Sequence, residues 1–64
     1  MNIFIERQKK PVQYQEDLIV SALLKRLGLR ASEVLVVRNK QLVTEDALLK
    51  KEDDITILSV ISGG

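Results

Sequence analysis

Cysteine and histidine are both missing from these 64 residues. The first absence removes disulfide stapling, thiolate chemistry and thiol-held metals. The second removes an imidazole base and His-ligated zinc. Proline occurs once, at Pro11, and aromatic rings twice, at Phe4 and Tyr14. Neither charge sign dominates, because ten Lys and Arg against nine Asp and Glu leave a net +1. A duplex-binding domain gathers its basic residues on one face. The nearest approaches here, Lys9-Lys10 and Lys25-Arg26, read as solvated surface, so no nucleic-acid partner is expected. No apolar run nears the 18 or so residues of a membrane span, and no signal-peptide pattern is found. The expectation is a soluble, cytoplasmic protein with no membrane partner.

What is present is Leu, Ile and Val in short periodic runs, the pattern of ordinary globular protein. The length suits one domain, which buries only about 60% of the surface its unfolded chain would expose. That leaves little volume for a deep, water-excluding cleft. The nine carboxylates sit in turn or surface contexts and offer no acid–base pair. A stand-alone enzyme is the poorest candidate.

Residues 1–6 alternate as a strand, with Met1, Ile3 and Ile5 on one side and Phe4 on the other. Polar residues 7–10 and Pro11 mark a turn, and Val12, Gln13 and Tyr14 alternate as a second short strand. Asp17 is placed to cap a helix. Val20, Leu23, Leu24 and Leu27 then fall at i, i+3, i+4 and i+7, one helical stripe. Lys25 and Arg26 complement the dipole in its last turn, Gly28 suits the left-handed stop, and Leu29 can fold back onto the helix. Residues 34–37 are a β-branched apolar run, read as a third strand. Asn39-Lys40 turns the chain back into a brief fourth strand at Leu42-Val43. Thr44-Glu45-Asp46 reads as a helix start, with Ala47, Leu48 and Leu49 making one or two turns. Glu52-Asp53-Asp54 is a solvated turn before the last strand, residues 55–61. The order β-β-α-β-β-β with one amphipathic helix predicts an α+β fold, a mixed sheet with the helix across one face.

The informative feature is the end, Ser62-Gly63-Gly64. Two glycines at a chosen pair of positions occur by chance about 0.5% of the time, from a glycine frequency near 7%. The bland alternative is a frayed terminus of no consequence. The rest of the chain separates these readings. Met1-Asn2-Ile3-Phe4-Ile5, Asn39-Lys40-Gln41-Leu42-Val43, Asp53-Asp54-Ile55-Thr56-Ile57-Leu58 and Val60-Ile61-Ser62-Gly63-Gly64 together resemble the β-grasp, ubiquitin-like sulfur carriers of the ThiS and MoaD group. The resemblance covers almost the whole chain, and the terminal pair after a strand is its most specific part.

It implies a single β-grasp domain over residues 1–61 and a flexible tail, Ser62, Gly63 and Gly64. It also implies a reaction. An E1-like adenylating enzyme activates the Gly64 carboxylate with ATP, a sulfur donor displaces AMP to leave a thiocarboxylate, and a sulfur-accepting synthase takes the sulfur. The chain would then be no enzyme and bind no cofactor; ATP and magnesium would belong to the partner. The short length, the ending and the lack of a proline pair before it lean toward the thiamine branch, with thiazole synthase as acceptor. Carriers for molybdopterin or tRNA thiolation and ubiquitin-like protein modifiers share the terminal pair and stay open. From another class, a β-grasp binding module with an incidental tail stays open too.

Strand alternation adds a candidate partner surface. If the helix covers Ile3, Ile5, Val34, Val36, Ile55 and Ile57, then Phe4, Leu35, Val37, Leu58 and Val60 face away from it. On a β-grasp sheet these five form one apolar patch leading to the tail, and contiguous exposed apolar patches mark interaction sites. Loops, a dimer partner or a one-residue slip in strand parity would remove it.

Overall fold

A computed structural model describes residues 1–60, and the proposed tail, together with Ile61, lies outside the described residues. Alternation makes β1 (Asn2–Ile5), whose Ile3 and Ile5 are buried while Phe4 is exposed. A tight turn leads back into β2 (Lys10–Gln13), antiparallel to β1, with Pro11 opposite Phe4. A proline fits there because β2 is an edge strand, where a missing N–H interrupts no ladder.

The amphipathic stripe forms α1 (Val20–Leu27), which buries Val20, Leu23 and Leu24 and half-buries Leu27. Gly28 ends it at φ 72°, and the Leu29 N–H donates to Leu24 O at 2.9 Å while the Gly28 N–H donates to Lys25 O at 3.2 Å. This pair of bonds is the glycine-centred stop that the sequence implied. The start of the helix differs from expectation. Asp17 does not cap it; its carboxylate accepts from the Lys51 N–H at 2.8 Å. The orphan N–H groups of Val20 and Ser21 are taken by the carbonyls of Ala47 (3.0 Å) and Glu45 (2.9 Å).

Those carbonyls come from the segment expected to begin a second helix. It forms none. Instead Leu48–Leu49 is a strand, β6, paired antiparallel with β3 (Leu18–Ile19). Three apolar residues in a row give no helical stripe, and this pairing buries Leu49 completely while Leu48 faces water.

After a 3-10 turn (Ala31–Glu33) come β4 (Val34–Arg38) and β5 (Gln41–Val43), joined by Asn39-Lys40. Both turn residues have positive φ, 48° and 72°, the two-residue geometry that matches strand twist. The last strand, β7, spans Asp54–Ser59, and Val60 carries its pairing one step further by donating to Glu33 O at 3.0 Å. The sheet order is β2-β1-β7-β4-β5, with β1 and β7 parallel and adjacent and β7 central. This is the β-grasp arrangement. Ile3, Ile5, Val36, Ile55 and Ile57 close the core under α1.

At the end of the sheet away from the tail, one polar clasp holds three segments. Asp53 accepts from the Lys50 N–H at 2.9 Å and from the Asn39 amide at 3.1 Å, and Asn39 Oδ1 accepts from the Asp54 N–H at 3.0 Å. The Lys50 N–H above all holds the Asp53 carboxyl below its ordinary pKa, with the Asn39 amide and the Arg38 charge adding to it. A depressed native pKa stabilises the fold above the ordinary carboxylate pKa, and that stabilisation is lost as pH falls through the native value. Asp53→Asn should therefore cost about 1 kcal/mol at neutral pH. The gap from wild type should narrow below about pH 4. Urea midpoints at pH 7 and pH 3 check this; a constant gap would count against the charge.

Candidate functional site

The sheet face opposite α1 is built in rows by strand register. Asn2 stands between Gln13 and Asp54, and Gln13 Nε2 donates to Asn2 Oδ1 at 2.7 Å, so the row farthest from the tail is polar. Next comes Pro11, Phe4, Thr56, Val37 and Leu42 across β2, β1, β7, β4 and β5. Beyond it Leu58 pairs with Leu35, and Val60 follows beside Glu33. The rows run from polar to apolar toward residue 60. Along β7 the distance from Thr56 to Val60 is about 13 Å at 3.3 Å per residue.

All five expected patch residues lie on this face. Phe4, Leu35 and Val60 are exposed by 39%, 40% and 45%, and Val37 and Leu58 are half-buried among them. Nothing among the described residues covers them. Sequence reasoning missed Leu42, which at 63% is the most exposed large apolar side chain described. Its signal was the two-residue turn, which pairs Arg38 with Gln41 and hence Val37 with Leu42. Thr56 was also missed; it puts one hydroxyl at the middle of the apolar rows.

The described part of the face presents apolar side chains around one hydroxyl, that of Thr56. No group of three or more Asp or Glu that could hold a metal exists among the described residues. Two carboxylates have shifted pKa values, Asp46 and Asp53, and both are lowered by hydrogen bonds in turns away from this face. Ser62, Gly63 and Gly64, where the sequence puts the reactive end, lie outside the described residues.

Comparison with known proteins agrees with this geometry. The model of the ThiS family matches residues 4–64. Sulfur carrier protein TtuB of Thermus thermophilus is 33% identical over 57 residues, covering 89% of this chain and 88% of that one. The crystal structure of the thiamine biosynthesis protein ThiS from Geobacter metallireducens superposes with a TM-score of 0.68 at 30% identity, over the whole of both chains. A solution structure of a thiamine biosynthesis protein from the same organism gives 0.61 at 28% identity, over all of this chain and 88% of that one.

Proposed function

The chain belongs to the ThiS family, and from that premise we propose that its working group is the Gly64 carboxylate, adenylated by an E1-like enzyme and converted to a thiocarboxylate. It is a sulfur carrier, a substrate of other enzymes rather than a catalyst. The observation that carries the finer reading is the extent of the family match, which runs to residue 64 and so includes Gly63-Gly64.

The chemistry follows from what a carboxylate lacks. It is a poor electrophile, and oxygen attack on the α-phosphorus of ATP expels pyrophosphate and turns it into a mixed anhydride whose leaving group is AMP. A donor of sulfide-level sulfur then attacks the acyl carbon and expels AMP, leaving the thiocarboxylate with no change of oxidation state. Glycine has no Cβ, so that carbon is sterically open and the chain ahead of it is narrow. ATP and magnesium are held by the activating enzyme. The apolar rows at Phe4, Leu35, Val37, Leu58 and Val60 dock on that enzyme and set the tail at its active site. The acceptor is thiazole synthase, supported by full-length similarity to a thiamine biosynthesis protein.

Mass measurement of the protein from its native cell tests the carrier chemistry. Exchange of one oxygen for sulfur at Gly64 supports it. Conjugates through lysine would mark a protein modifier, and an unmodified chain a binding module. For the acceptor, thiocarboxylated chain is offered to thiazole synthase, molybdopterin synthase and a tRNA-thiolating enzyme. Sulfur should enter the thiazole, and transfer only to one of the others would replace that assignment.

The docking face has its own test. Phe4→Asp or Leu58→Asp should weaken the complex with the activating enzyme by about 2 kcal/mol or more, as loss of a buried apolar anchor does. Far-UV circular dichroism should stay unchanged, because both side chains lie on the sheet face turned away from α1, outside the buried core. Unfolded variants would place these side chains in the core instead.

A further inference from the structure

The three carboxylate–cation pairs among the described residues are Arg26–Glu16, Arg38–Asp53 and Lys50–Asp17. None of them involves the end of the sheet where β7 runs out. At that end the β1–β2 turn carries Arg7 and Lys9, and β2 opens on Lys10, which pairs in register with Ile5. On the other side the loop after α1 carries Arg30. The two sides meet, because Arg7 lines one shallow depression with Leu29, Glu33 and Ser59. Four exposed cations thus lie toward the end of the sheet where β7 runs out, against the two carboxylates Glu6 and Glu33.

We propose that Arg7, Lys9, Lys10 and Arg30 form a cationic collar that meets a carboxylate-rich rim on the activating enzyme, a partner that rests on the function proposed above. The apolar face supplies the area of contact, and the collar supplies orientation and speed of encounter. An excess of one sign of charge at one end of a small domain makes that end lead the approach. Here the leading end is the one that must enter the partner's active site. A protein rim fits better than the nucleotide itself. ATP reacts at Gly64, and the four residues beyond Val60 reach at most about 14 Å when extended. That is farther than a lysine or arginine side chain on the rim extends.

Lys9 offers a clean probe. It holds φ 50°, in the left-handed region that glycine occupies without cost. Lys9→Gly therefore removes a charge while relieving the backbone, and cannot slow binding by unfolding the turn. The experiment is stopped-flow association of the full chain with its activating enzyme across a salt series. The variants are Lys9→Gly and the triple Arg7→Glu, Lys10→Glu, Arg30→Glu. The control is Lys40→Glu, in the turn at the opposite end of the sheet.

The wild-type association rate should fall steeply with salt. At low salt the triple variant should associate at least about tenfold more slowly, with little salt dependence left. Lys9→Gly should lie between them, and Lys40→Glu near wild type. A salt-insensitive wild type, or a Lys40→Glu effect as large as the triple variant's, would overturn the collar. So would tight binding of the wild type to a DNA duplex at about 0.15 M salt that the triple variant loses, since the cations would then serve nucleic acid. Deleting Gly64 should leave association and its salt slope intact while stopping pyrophosphate release. If that deletion still releases pyrophosphate, the proposed function fails, whatever the salt series shows.

Discussion

Deleting Gly64 abolishes ATP-dependent pyrophosphate release by the cognate activating enzyme and leaves the urea midpoint of the chain where it was. That is the expected pair of results, and each half has a separate cause. Activity is lost because the group that attacks the α-phosphorus has moved back by one residue, about 3.4 Å of extended chain. Transfer chemistry tolerates far less misplacement than that; an error of about 1 Å can cost 100-fold. Stability should be kept because the buried apolar core, among the described residues, runs from Met1 to Ile57. Gly63→Val should act in the same direction, lowering kcat/KM by about 100-fold or more. Its β-branched side chain broadens the segment and restricts the backbone proposed to enter the partner's active site. Equal pyrophosphate release from intact and shortened chains would remove the carboxylate from the reaction.

The parts of the fold that were legible in the sequence are those in which one local pattern decides burial. Ile3 and Ile5 against Phe4 give β1 its two faces, and Ile55 and Ile57 do the same for β7. Val20, Leu23 and Leu24 define the helix, and Gly28 supplies the one backbone conformation its stop requires. Residues 44–49 were misread because their structure is decided elsewhere in the chain. Leu48–Leu49 has no periodicity long enough to choose helix or strand, and its partner Leu18–Ile19 lies about thirty residues away. The same long-range contact frees Asp17 from capping, since the carbonyls of Glu45 and Ala47 already satisfy the first turn of α1. In the candidate site, alternation was enough to put Phe4, Leu35, Val37, Leu58 and Val60 on one face. Leu42 needed the register of the β4–β5 hairpin, which depends on counting two turn residues.

Leu24→Ala should be among the most damaging single changes to the fold itself. Leu24 is 3% exposed, at the centre of the helix face pressed onto the sheet. Truncating it removes apolar contacts and leaves a cavity that surrounding side chains fill only in part, at a cost of about 2–5 kcal/mol. A domain of this size has roughly 3–10 kcal/mol in total, at 0.05–0.15 kcal/mol per residue. One side chain therefore holds a large share of the stability. With a urea slope of about 1 kcal/mol/M, the midpoint should fall by some 2–5 M, far enough to unfold part of the population without denaturant. Leu42→Ala is the matched contrast, the same chemical change at a side chain that is mostly in water. Its cost should stay within about 0.5 kcal/mol, the range of ordinary surface substitutions. Similar midpoints for the two variants would mean that α1 does not seal the core as described. The loss from Leu24→Ala should also reach function by a route distinct from the tail. The unfolded fraction loses the sheet face proposed to dock the partner, so activation should recover when the variant is assayed with stabilising osmolyte. The Gly64 deletion, with its fold intact, should show no such recovery.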